Sequence, residues 1–198
     1  MLKLFLLGDK RGDISWLLNQ IGLLLATGIL LGAITSSLFF DEWQRKAEIE
    51  NITIHFTTAI ESASLKEFPE KIVYKFPDKS YGYEVKISTE YITVKIPDEE
   101  IIVKKRFPFR VWANPPVADG YGINGICNYL SNIYGEGNNG SSPESKISKE
   151  NIEKEFNSTA VHLSLNPLSI ETKKSVYIEK IFLYTEEGRE EYVIIYQR

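Results

Sequence analysis

The segment Gly120-Tyr121-Gly122-Ile123-Asn124-Gly125 has the spacing G-x-G-x-x-G, which in dinucleotide-binding proteins brings a pyrophosphate against a helix N-terminus through a tight turn. That chemistry needs a buried parallel strand directly before the turn. Here the preceding residues are Asn114-Pro115-Pro116, a loop signal, within a stretch that reads as antiparallel strands, so the glycines are expected to shape a turn. His55 and His162 lie far apart, with no carboxylate or second histidine at ligand spacing, which argues against a metal or catalytic role for either. The single cysteine, Cys127, excludes an intramolecular disulfide and a zinc site built on paired cysteines. There is no G-x-S-x-G elbow, Cys/His pairing motif or P-loop. The expectation is therefore a protein that is not an enzyme and needs no metal or cofactor.

Asn51-Ile52-Thr53, Asn139-Gly140-Ser141 and Asn157-Ser158-Thr159 are N-glycosylation sequons, which matter only on a chain exposed outside the cell. Asn139, in a glycine- and serine-rich stretch, is the acceptor the sequence favours, with Asn51 and Asn157 as the other candidates.

The elements that position these residues divide sharply by composition. The 198 residues carry 23 Lys+Arg against 27 Asp+Glu, a net charge of -4, with a mean hydropathy of -0.19. That balance disfavours nucleic-acid binding, which needs a cationic surface. Every charge lies outside Ile14 to Phe40, a run of 27 uncharged residues. As a helix this run extends roughly 40 Å, against about 30 Å for a bilayer's hydrocarbon core. It is too long for the apolar region of a cleavable secretory signal. Lys10 and Arg11 precede the run and Asp41 and Glu42 follow it, so the positive-inside rule places the N-terminus in the cytoplasm and the C-terminal part outside. Within the run Gly28, Gly32 and Ser36 form one small-residue stripe and Gly22 with Ala26 another, spacings that let two helices approach closely. Asn19 and Gln20 need polar partners, which headgroups or a neighbouring helix could supply.

The start of the chain runs from basic residues through a glycine into the apolar helix: Lys10-Arg11-Gly12, then Asp13-Ile14-Ser15-Trp16-Leu17. Over about thirty residues it resembles the class III signal peptide of archaeal type IV pilin-like proteins, a family of archaellins, adhesion pilins and accessory subunits. The resemblance implies that a membrane peptidase cuts between Gly12 and Asp13 on the cytoplasmic side, leaving the apolar helix on the mature chain. Ser15 matches the serine common at the third mature position. Two features depart from the family pattern. Leu17 stands where many filament subunits carry a glutamate, and Leu4-Phe5-Leu6-Leu7 makes the leader apolar where family leaders are polar.

Beyond the run, Ala47, Ile49, Ile52, Phe56, Ala59, Ile60 and Ala63 recur at helical spacing, which predicts one helix from Asp13 to near Leu65. KIVYKF, YEVKIST, YITVKI and IIVKKRFPF, between residues 71 and 109, are predicted antiparallel strands, with Pro77-Asp78 and Pro97-Asp98 marking turns. Lys86, Lys95, Lys104 and Lys105 alternate with apolar residues there and are expected on one solvated sheet face. A short helix is predicted from Ile123 to Ile133, an exposed flexible loop over 135–145, another short helix from Ser148 to Phe156, and strands over 159–165, 174–184 and 190–196, the last two joined as a hairpin.

The fold class expected is α+β: a leader over 1–12, a transmembrane segment over 13–40, a helical stalk over 41–66 and a β-rich extracytoplasmic head over 67–198. By resemblance the expected role is that of a minor pilin-like subunit of a surface filament. Its partners would be membrane lipid, the leader peptidase, and other pilin-like or secretion-system subunits through the N-terminal helix. The rival expectation is a permanently anchored accessory module that contacts an envelope-layer protein or the archaellum motor.

Overall fold

The computed structural model describes residues 10–198, with side chains from residue 15 onward apart from that of residue 38. The first helix, α1, runs unbroken over Lys10–Ser64. The chain forms two compact units divided between Arg45 and Lys46, so α1 contributes to both. The expected long helix is present, and Ile52 to Thr57, whose β-branched residues also suit a strand, are helical.

In the first unit every apolar side chain from Trp16 to Phe40 that is described faces outward. Thr27 and Thr35 donate their hydroxyls to the carbonyls of Leu23 and Leu31, at 2.8 and 2.9 Å, so these polar groups are satisfied inside the helix. In the second unit, Ile49, Ile52, Phe56, Ile60 and Ala63 form one buried stripe of α1. The helix changes from an all-round apolar surface to a single apolar face. That is the difference between a helix surrounded by apolar solvent and one packed on a core.

The second unit contains two four-stranded sheets. One has the order β4 (Ile101–Arg106), β3 (Tyr91–Ile96), β2 (Glu84–Ile87), β6 (Leu168–Ile170); the other the order β1 (Lys71–Tyr74), β7 (Val176–Thr185), β8 (Gly188–Gln197), β5 (Trp112–Ala113). All pairs are antiparallel except β5 with β8, which is parallel. The stripe of α1 packs with Val85, Ile87, Ile92 and Val94 of the first sheet and Val176, Ile178, Val193 and Ile195 of the second in one apolar core. A second core on the opposite face of β7 and β8 joins Ile181, Leu183, Ile194 and Trp112 to α2 (Gly122–Tyr134) and α3 (Lys149–Leu165) through Ile126, Leu130 and Ile152. The β7–β8 hairpin is thus buried on both faces.

Two expectations need correction. Residues 159–165 are the last turns of α3, not a strand. Thr159 and Val161 suggest β structure, yet no glycine or proline separates them from Phe156 and the helix runs on until Asn166-Pro167. The 135–145 stretch is anchored rather than free. Gly140 is buried, its carbonyl accepts from Tyr184 N at 2.9 Å, and its N–H donates to Ser145 O at 2.6 Å. Its φ of +72° is one that glycine adopts without strain. The second compact unit begins at Lys46.

Candidate functional site

The apolar run of α1 is the first candidate. By length and composition it is a helix able to cross a membrane. Trp16 lies near one end and Phe39, Phe40 and Trp43 near the other, all exposed, with the Phe40 and Trp43 rings 6.2 Å apart. From Trp16 to Phe39 the helix rises about 35 Å, which sets the two aromatic groups at the spacing of bilayer interfaces, where Trp and other aromatics collect. These aromatics were legible in the sequence and are additional to the residues singled out there. Gly22, Gly28 and Gly32 have open space where a Cβ would stand, and Ala26 and Ser36 are exposed. Of the leader, residues 1–9 lie outside the described residues. Lys10, Arg11, Gly12 and Asp13 belong to the backbone of α1, and their side chains lie outside the described set.

The G-x-G-x-x-G segment is the second candidate, and its geometry explains its glycines. Gly122 opens α2 with φ +65°. A Cβ there would lie 2.4 Å from Glu179 Oε2. The carboxylate of Glu179, from β7, approaches the first turn of α2 and accepts from Ile123 N at 3.5 Å and from the Tyr196 hydroxyl at 2.9 Å. An anion at a helix N-terminus is favoured by the unpaired N–H groups and the helix dipole. The position a phosphate takes in a dinucleotide fold is occupied here by the protein's own carboxylate. Gly125 allows a second close approach, since a Cβ there would lie 2.8 Å from the carbonyl of Gly120. The Tyr196 phenol is pushed up to about 12, first by burial and then by its bond to Glu179, so it remains a donor across the neutral range.

Cys127 is buried in α2, and burial pushes its thiol up to about 11. A thiol held protonated in this way is a poor nucleophile at neutral pH. His55 and His162 are exposed, on α1 and α3 respectively. Among the described residues no three His, Cys, Asp or Glu side chains converge where a metal could sit.

The sequons fall in different settings. Asn51 is exposed on α1. Asn157, on α3, accepts from Arg110 Nη2 at 3.3 Å. Asn139 is half-buried, donates to Ser131 Oγ at 2.9 Å and accepts from Ser141 N at 3.0 Å. The asparagine favoured from sequence is therefore the one whose amide is most engaged.

Sequence reasoning passed over Lys180. On β7 it shares the inward parity of Val176 and Ile178, and it is only 5% exposed. Its Nζ donates to the carbonyls of Ser64 at 2.8 Å and Lys66 at 2.6 Å and pairs with Glu191 at 2.8 Å. A cation at the C-terminal end of α1 satisfies carbonyls that the helix leaves unpaired and complements its dipole. The hydrogen bond from Lys180 holds the Glu191 carboxyl below its ordinary value. The signal was a lysine at an inward position of an apolar strand.

Comparison of the chain with protein-family models, with curated proteins and with solved structures finds no match.

Proposed function

We propose that the chain is a non-enzymatic subunit of a type IV pilus-like surface filament, held in the membrane by its N-terminal helix with the head outside the cell. The observation that carries this reading is the continuity of α1. One helix of 55 residues provides an apolar outer surface of membrane length in its first part and the core stripe Ile49, Ile52, Phe56, Ile60 and Ala63 in its second. The same helix therefore belongs both to the apolar run and to the core of the head. The small-residue stripes Gly22/Ala26 and Gly28/Gly32/Ser36 supply the close approach that neighbouring subunits need. Lys10, Arg11, Gly12 and Asp13 are the residues for leader recognition and cutting. The test is whether the chain co-purifies with sheared surface filaments of its own cells. Cysteines placed at Gly28 and Gly32 should then cross-link to a second pilin-like subunit. Recovery only in the cell membrane, with no cross-link, would contradict it.

Leu17 and the apolar leader stretch Leu4–Leu7 favour a second reading, a permanently anchored accessory module whose head contacts an envelope-layer protein or the archaellum motor. Such a module keeps Met1, remains in the membrane fraction, and captures its envelope or motor partner through the head. A chain that carries all three properties is this module and not a filament subunit.

A further inference from the structure

The outer face of the β4-β3-β2-β6 sheet carries a row that runs across all four strands. Ser169 pairs with Lys86, Lys86 with Thr93, and Thr93 with Lys104. Directly paired residues project to the same side of a sheet, so the row alternates hydroxyl and ammonium. Lys95 shares this face through its pairing with Glu84, whereas Lys105 pairs with Ile92 and takes the core side of the edge strand. The four lysines expected on one face are thus three and one. Above the Lys86–Thr93–Lys104 part of the row, the end of α3 contributes Ser164 and the β2–β3 turn contributes Thr89, and together they enclose a cleft of about 300 Å³.

We propose that this cleft binds an oxyanion carried on a small polyhydroxylated molecule, a carboxylated or sulfated sugar unit. Neighbouring strands are about 4.8 Å apart. Lys86 and Lys104 therefore rise about 10 Å from one another on either side of Thr93, and their four-carbon stems can bring both ammonium groups onto one oxyanion. Neither lysine has an ion pair among the described residues, and the Lys104 ammonium is held over the Tyr91 ring, 3.9 Å from its centroid. The acidic group of the lining, Glu90, faces Arg106 and Arg110 at 3.8 and 4.0 Å, so the cleft keeps a positive balance. Thr93 and Ser164 supply hydroxyls that can both donate and accept, the pairing that sugar hydroxyls require. Thr89 adds an independent observation. Its Oγ1 is shut off from solvent in the cleft wall and has no hydrogen-bond partner, an expensive state for a hydroxyl. A rotation of Thr89 about χ1 would cost no hydrogen bond within the protein, and a ligand in the cleft would offer the hydroxyl the partner it lacks. The volume is at the small end of ligand sites, which sets the limit at about one sugar ring. The inference does not depend on whether the chain enters a filament.

The test uses the full chain in an uncharged detergent, titrated by calorimetry with glucuronate, glucose 6-sulfate and glucose. Saturable binding is expected for at least one of the two anions and none for glucose, and the tighter of the anions identifies the oxyanion. Binding should weaken with salt and by about tenfold for each lysine replaced in Lys86→Met and Lys104→Met, while Lys173→Met, outside the cleft, leaves it unchanged. Thr89→Val separates binding from folding, because it should weaken binding while leaving the melting temperature level or higher. Equal binding of glucose, no saturable binding of either anion, or affinity unchanged in the lysine and Thr89 variants would each overturn the proposal.

Discussion

Replacing Lys180 with methionine tests how much the buried cation that β7 directs at the end of α1 adds to the stability of the second unit. Methionine keeps most of the apolar stem and removes the ammonium, so the cost arises from the partners left behind. The carbonyls of Ser64 and Lys66, bonded at 2.8 and 2.6 Å, lose a charged donor. A hydrogen bond to a charged group contributes about 1.5–3 kcal/mol, while some of this loss is recovered because water reaches the chain just beyond the helix. The Glu191 side chain is 46% exposed, so its ion pair adds less than about 1 kcal/mol. The net expectation is a loss of about 2–4 kcal/mol. At about 2–4 °C per kcal/mol for a unit of this size, the midpoint falls by about 5–15 °C. The readout is urea or thermal unfolding of the full chain in detergent, followed through the buried Trp112, with Trp16 and Trp43 as a background common to both proteins. The pH dependence carries a sign as well. The Glu191 carboxyl is held down in the folded chain, so its contribution is present above the unfolded carboxyl value and is lost as pH falls through the lower folded one. Lys180→Met should therefore flatten part of the acid limb of the stability curve. A loss under about 0.5 kcal/mol with an unchanged acid limb would show that Lys180 does not hold the end of α1.

Three further outcomes follow from the geometry. Gly122→Ala places a Cβ 2.4 Å from Glu179 Oε2 at a φ of +65° and should cost about 1–3 kcal/mol in unfolding experiments, whereas a cost near zero would show that Glu179 does not cap α2. A chain starting at Lys46 should remain folded by circular dichroism and amide exchange, while one starting at Lys66 should not, because it lacks the stripe from Ile49 to Ala63. Cys127, buried with its thiol pushed up to about 11, should react with alkylating reagents at neutral pH only at the rate at which the head opens; rapid labelling of the folded chain would contradict its placement.

Local order was legible from the residues. The uncharged run, the recurrence from Ala47 to Ala63, the turns at Pro77-Asp78 and Pro97-Asp98 and the hairpin around Gly188 each signal their element within a few residues, and α1, β2–β4 and β7–β8 follow. The non-local pairings were not. Nothing near Lys71 indicates that it pairs with Glu179, and nothing near Trp112 indicates a parallel partner at Ile194. Such pairings are fixed by which faces need covering once both cores form. The error over 159–165 came from reading β-branched residues as strand, where the buried Leu163 and the late stop at Asn166-Pro167 favour helix. The Glu179 cap on α2 and the Lys86–Thr93–Lys104 row bring together residues far apart in sequence. For the same reason the glycine spacing was visible at once, but not the carboxylate that gives it its purpose.

Entry into a filament by way of a processed N-terminus, the function proposed for this chain, is decided by the intact mass of the protein from its native membranes. The expected mass is that of a mature chain beginning at Asp13, present only where the leader peptidase is active. A mass that retains Met1 in peptidase-competent cells would contradict it.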